Sequence, residues 1–123
     1  QKALDNFDSQ IQKILDKKKI AAVVGGEHSV MFGAVKAIAQ NTPTFGILQF
    51  DAHMDSRQAY QDYTYSHASV MYNVLKNIPE VSKLVQVGIR DFCEEELAYV
   101  FGKKGRVATF TDIDISRKKF SRS

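Results

Sequence analysis

The segment FGILQFDAHMDSR, Phe45 to Arg57, runs almost entirely apolar and then ends in Asp51, His53 and Asp55, polar side chains at alternate positions. Imidazole with carboxylate suits manganese, iron or zinc, and with no thiolate among these residues the group does not read as a structural zinc site. Alternate side chains of an extended backbone point the same way, so the trio can converge if the strand geometry persists or bends only gently. A second group, Gly25-Gly26-Glu27-His28-Ser29, adds an imidazole. It lacks the Gly-Lys-Ser/Thr ending of a phosphate-binding loop. His28, Asp51, His53 and Asp55 are therefore the candidate metal ligands, and Asp51, being central, is the natural bridge. Two cations about 3.5 Å apart would lower the pKa of a shared water toward neutrality. The competing reading is structural, since Asp and His at strand ends also cap helices and complete turns.

These residues need elements to carry them. Leu4, Phe7, Ile11, Ile14 and Leu15 recur at helical spacing, which predicts an amphipathic first helix. Ile20 to Val24 is short, β-branched and closed by Gly25-Gly26, the pattern of a buried parallel strand. A helix is predicted from about Ser29 to Gln40, a strand through TFGILQF, a helix carrying Val70, Met71, Val74, Leu75 and Ile78, and a strand from Lys83 to Ile89. Asp91 and Glu94 are spaced as a capping box for an acidic-fronted helix reaching Val100, and RVATF predicts a fourth strand. Alternating strands and helices imply right-handed crossovers and a mostly parallel sheet covered on both faces. Ligands of such sheets sit outside the carboxyl ends of the strands, and both polar groups follow a predicted strand.

The bulk properties exclude several classes. At 123 residues and 44% hydrophobic composition the chain buries a core. Its apolar runs fall far short of the roughly 20 residues of a membrane span. QKALDNFDSQ has no apolar leader core, and the single Cys93 forms no internal disulfide, so the expected compartment is the cytoplasm. The net charge of +3 comes from short basic runs beside helices and turns, which gives no footprint for nucleic acid.

GGEHS and DAHMD, in this order and at this spacing, resemble the first two metal motifs of the ureohydrolases, the arginase and agmatinase family. Tyr65-Ser66-His67-Ala68 and Val87-Gly88-Ile89-Arg90 extend the likeness over most of the chain. The resemblance implies an arginase-like α/β fold, a three-layer αβα sandwich, with two Mn2+ ions acting on a small guanidino substrate in a homo-oligomer. It assigns His28 and Asp55 to one manganese, His53 to the other and Asp51 to both. His67 falls where family members carry a histidine near the active-site mouth, which implies proton shuttling; otherwise it is an ordinary surface histidine. Tyr60, Tyr63 and Tyr65 read either as a partly buried lid or as ordinary amphipathic packing.

Within the family the likeness leans to agmatinase. Arginases carry an Asn where this chain has Arg57, and read GLRDVD where it has GIRDFC, so Cys93 replaces an expected substrate contact. Both departures disfavour arginine and fit a decarboxylated guanidine such as agmatine; formimidoylglutamate and guanidinobutyrate are the alternatives, and an inactive interaction module is the alternative of another class. Cys93 itself is no nucleophile, because the Glu94-Glu95-Glu96 run raises its pKa. The family's third motif, S-x-D-x-D-x-x-D-P, has no match: Asp112 and Asp114 are followed by Arg117-Lys118 and read as surface or helix-capping residues. With four of the six family ligands, residues 1–123 read as the central part of one ureohydrolase domain, expected to hydrolyse nothing measurable alone.

Overall fold

A computed structural model of the chain describes residues 2–103 and 105–121. α1 (Lys2–Asp16) and α2 (Met31–Asn41) lead into β1 (Phe45–Phe50); α3 (Val70–Asn77), β2 (Val81–Ile89), α4 (Glu94–Phe101), β3 (Val107–Thr111) and α5 (Asp112–Phe120) follow. The strands form one parallel sheet in the order β1-β2-β3. Each strand returns through a helix, as parallel pairing requires. The expected α/β architecture, a parallel sheet flanked by helices, is what the described residues form.

Burial explains why these segments hold their places. Val35 of α2, Val74 and Ile78 from α3 and its end, and Val81 of β2 form one core cluster, with Phe45 and Ile47 packed against it. Val70, Met71, Leu75 and Leu84 form the next, and Met54, Ile89 and Val100 close the end nearest the polar loops. α1 docks on α2 through Ile11 against Ala34 and Ala37. The side chain of Leu4 lies outside the described residues. Arg106 ties the far end together: its guanidinium donates to the carbonyls of Leu75 (2.6 Å), Ile78 (2.8 Å) and Val81 (2.8 Å), at the end of α3 and the start of β2. Carbonyls at a helix C-terminus lack intrahelical donors, and a planar cation with several N–H groups satisfies them well.

Two local expectations are corrected. Ile20 to Val24 is not a strand. Its backbone keeps a two-residue alternation, with Ala21 and Val23 packed on the α1–α2 cluster while Ile20 and Val24 are 96% and 99% exposed. It has no ladder partner among the described residues, and an open cleft of about 390 Å³ lies between this segment's end and β1. The α4 cap sits two residues later than the Asp91-Glu94 spacing implied: Cys93 is the N-cap, and the Glu96 carboxylate accepts its N–H at 3.0 Å. Of the two readings left open for the loop tyrosines, packing fits two of them: Tyr65 rests against the Phe32 ring at 5.5 Å and Tyr60 lines a cavity wall, while Tyr63 is 72% exposed. Asp112 and Asp114 occupy the exposed first turn of α5, where Thr111 is the N-cap and accepts the Asp114 N–H at 3.2 Å.

Candidate metal centre

β1 ends at Phe50 and the next residues are stitched to the loop after β2. Asp51 N–H donates to the Val87 carbonyl at 3.1 Å, and the Arg90 and Asp91 N–H groups donate to the Ala52 carbonyl at 2.9 and 3.0 Å. The stitching needs Gly88, which sits at a break in the β2–β3 register with φ +90°, a backbone conformation that L side chains rarely adopt. A Cβ there would also stand 3.4 Å from the Asp51 carbonyl.

Past this point the chain does not stay extended. Met54 turns into the core at 1% exposure, and Asp55 takes a left-handed conformation, φ +51°, with its carbonyl accepting the N–H groups of Met71 (2.9 Å) and Tyr72 (3.3 Å) at the start of α3. That turn, and not strand alternation, brings the Asp55 carboxylate to His28. Asp is among the few residue types with a short polar side chain that tolerate this region.

The convergence is tight. His28 Nδ1 lies 2.6 Å from Asp55 Oδ2 and 3.7 Å from Asp51 Oδ2, and one ligand atom from each of the three residues falls within 4.8 Å of the others. His53 stands on the other side of Asp51, its Nδ1 3.5 Å from Oδ1, so the central carboxylate turns one oxygen toward each imidazole. The Nε2 of His53 lies 3.6 Å from Asp91 Oδ2, beyond hydrogen-bond distance, and His53 stands outside the three-residue group formed by His28, Asp51 and Asp55. Oxygen and imidazole donors without thiolate fit manganese or a similar divalent ion. His67 is set apart: its Nδ1 is 3.5 Å from Glu27 Oε1 and its ring meets Tyr60 edge-on at 5.3 Å.

Beside the cluster lies a cavity of about 200 Å³ whose lining includes His53, Asp55, Arg57, His67, Asp91 and Glu96, with Tyr60 in its wall. Sequence reasoning missed Glu96. It is 3% exposed, accepts the Ser56 N–H at 2.9 Å, and lies 3.5 Å from Arg57 Nε, so it ties the two polar loops together. The Arg57 guanidinium also stands 5.3 Å over the Tyr60 ring. The signal available was the third glutamate of the run, at the capping-box distance from Cys93.

Charge sets the protonation of the cluster. The hydrogen bond to Asp55 raises the His28 pKa above its ordinary 6.5; burial opposes this, and the charges of Asp55, Asp51 and Glu27 add to the rise. Burial pushes the Asp51 carboxyl up but is outweighed by the His53 N–H, the Gln49 amide and the two imidazoles, so it titrates below the usual range. Burial raises the Cys93 thiol, with Glu95 and Glu96 adding to the effect.

A pH dependence follows from His28. Its folded-state pKa is raised, so its contribution to metal-free stability is fully present below about pH 6.5 and is lost as pH climbs through the raised value. A metal needs the neutral ring, so affinity moves the other way and rises over the same window. Urea denaturation of chelator-treated protein and manganese titration at matched pH values should show opposite slopes. His28→Gln should flatten both, and parallel slopes in the unsubstituted protein would refute the assignment.

The arginase-family profile matches residues 1–122. The chain belongs to the arginase family. An uncharacterised 32.2 kDa protein of Methanothermus fervidus is 38% identical over 108 residues, covering 88% of this chain and 36% of the relative. An agmatinase of Bacillus cereus is 34% identical over 100 residues, covering 80% of this chain and 34% of the relative. Among solved structures, formimidoylglutamase from Bacillus subtilis superposes with a TM-score of 0.83 at 27% identity, over 98% of this chain and 38% of that one. This arginase-family chain thus spans about a third of the length of the relatives it matches. Among its described residues no helix is long and apolar enough to cross a membrane.

Proposed function

We propose that the chain carries the His28, Asp51, His53 and Asp55 half of a dinuclear manganese centre that hydrolyses a guanidino compound, agmatine foremost, to an amine and urea. The observation that carries this reading is the convergence of three ligand atoms within 4.8 Å beside a cavity lined by carboxylates. When bound, the cations supply an acidified water as nucleophile and stabilise the charge that develops on the guanidino group.

The chain's own residues do the rest. Asp51 presents an oxygen to each imidazole side of the site, and Asp91 adds a negative charge 3.6 Å from His53. Because Asp91 keeps 70% of its side chain exposed, it also offers a carboxylate to the ammonium tail of agmatine. The Arg57 guanidinium is engaged by Glu96 and Tyr60, which removes it as a repulsive charge. His67 has Nδ1 facing Glu27, leaving Nε2 to pass a proton to the departing amine as the carbon–nitrogen bond breaks. We place the reaction in the cytoplasm and in a homo-oligomer, as the family resemblance implies.

Arg57 favours one second reading, a substrate whose tail bears carboxylates, such as formimidoylglutamate, toward which the guanidinium would swing from Glu96. The test is manganese-loaded polypeptide at the full length of its relatives, offered agmatine, arginine, guanidinobutyrate and formimidoylglutamate. Urea from agmatine, abolished by chelation and by Asp51→Ala, is the expected result. Formamide from formimidoylglutamate with no urea from agmatine would establish the second reading, and no product from any of the four would end the proposal.

A further inference from the structure

Two glutamines interrupt apolar runs, Gln49 in the FGILQF of β1 and Gln86 in the LVQVGI that ends β2. They are directly paired across β1 and β2, and Thr109 of β3 is the next partner in the same row. Gln86 is fully buried and Gln49 is 6% exposed. A buried amide without partners is costly, and apolar side chains would fill these sheet positions without that penalty. Here both amides are satisfied. Gln86 Nε2 donates to Gln49 Oε1 at 2.9 Å and to the Met54 carbonyl at 2.8 Å. Thr109 donates its hydroxyl to Gln86 Oε1 at 3.0 Å. Gln49 Nε2 donates to Asp51 Oδ2 at 3.3 Å and to the His53 carbonyl at 3.4 Å.

The direction of the row is fixed by chemistry. A backbone carbonyl only accepts, so the Met54 oxygen obliges Gln86 to turn its NH2 group toward it, and this leaves Gln86 Oε1 facing β3, where only a donor such as the Thr109 hydroxyl is acceptable. The same NH2 group meets Gln49, which must answer with its oxygen and therefore aims its own NH2 at Asp51. Reversing any amide would set like against like at two places at once.

We propose that Gln49, Gln86 and Thr109 are positioning residues, a one-way hydrogen-bonded row across the sheet that aims and steadies the Asp51 carboxylate and the loop carrying His53. This rests on the reading of Asp51 as a metal ligand. His53 N–H holds the other oxygen of Asp51 at 2.9 Å, so the two donors together fix the plane of the carboxylate between the two imidazoles. The row also ties Asp51 to Met54, the residue before the left-handed turn at Asp55, so one buried amide registers both ends of the ligand loop.

Thr109→Val and Thr109→Ser test it, since valine keeps the shape and strand preference while serine keeps the donor. The first readout is metal-free: the side-chain amide resonances of Gln49, followed by 1H–15N correlation, should shift in Thr109→Val and return in Thr109→Ser, although position 109 does not touch Gln49. The second is Mn2+ affinity by titration, expected to fall about 10-fold in Thr109→Val, more in Gln86→Met, and to recover in Thr109→Ser. Gln49 resonances that stay put in Thr109→Val, or shifted resonances with unchanged Mn2+ affinity, would overturn the proposal and leave the row a purely structural feature. Failure of the unsubstituted protein to bind Mn2+ would instead overturn the metal-centre reading, and the resonances would still decide whether the row transmits.

Discussion

Asp55→Asn is expected to lower manganese affinity about 100-fold or more while moving the melting temperature by only a few degrees. Both halves of that expectation come from the turn. Asparagine, like aspartate, tolerates the left-handed backbone at φ +51°, and the carbonyl that receives the Met71 and Tyr72 N–H groups is unchanged, so α3 keeps its start. The amide, however, brings no negative charge to the position 2.6 Å from His28 Nδ1, and its NH2 group cannot ligate a cation. Titration calorimetry with Mn2+, paired with thermal denaturation in chelator, separates the two effects. Affinity within a factor of two of the unsubstituted chain would remove Asp55 from the ligand set. A collapse in melting temperature would show that the carboxylate serves the fold instead.

Arg106→Met is expected to do the reverse, costing about 3 kcal/mol of stability and leaving the ligand cluster's intrinsic metal affinity alone. Three backbone carbonyls lose a cationic donor at distances of 2.6 to 2.8 Å, and hydrogen bonds to charged groups are worth about 1.5–3 kcal/mol each. Water reaches a partly buried position and recovers some of the sum. Methionine keeps much of the aliphatic stem, so the loss reports on hydrogen bonding more than on packing. Chemical denaturation measures it directly; a change under 1 kcal/mol would mean that water replaces the guanidinium without penalty.

Much of this architecture was legible in the residues because the determinants were local. Val81–Ile89 and Val107–Thr111 carry β-branched, apolar runs, and Val70, Met71, Val74 and Leu75 repeat at helical spacing, so strands, helices and their alternation could be read directly. Ile20 to Val24 carries the same local signature, but being a strand requires a partner, and pairing is a non-local fact that no window of sequence contains. The site divides in the same way. His28, Asp51 and Asp55 could be grouped in advance because their types and spacing are chemical information. The means of grouping could not, since the alternation argument assumed an extended chain where Asp55 adopts a left-handed turn. Glu96 and the Gln49–Gln86–Thr109 row were hidden for a related reason. Each is an ordinary polar residue until the fold puts it beside its partner, by cross-strand register for the row and by the packing of α4 against the loop after β1 for Glu96.

Gly88 gives this centre its least obvious constraint. It has no functional group and offers nothing to a cation, yet the backbone course that lets Asp51 and Ala52 be tied to the following loop depends on the atom it lacks. Sensitivity to replacement along this loop is therefore decoupled from reactivity. A survey that ranks positions by the chemistry their side chains could perform would overlook the one whose emptiness sets the bearing of the backbone that carries Asp51.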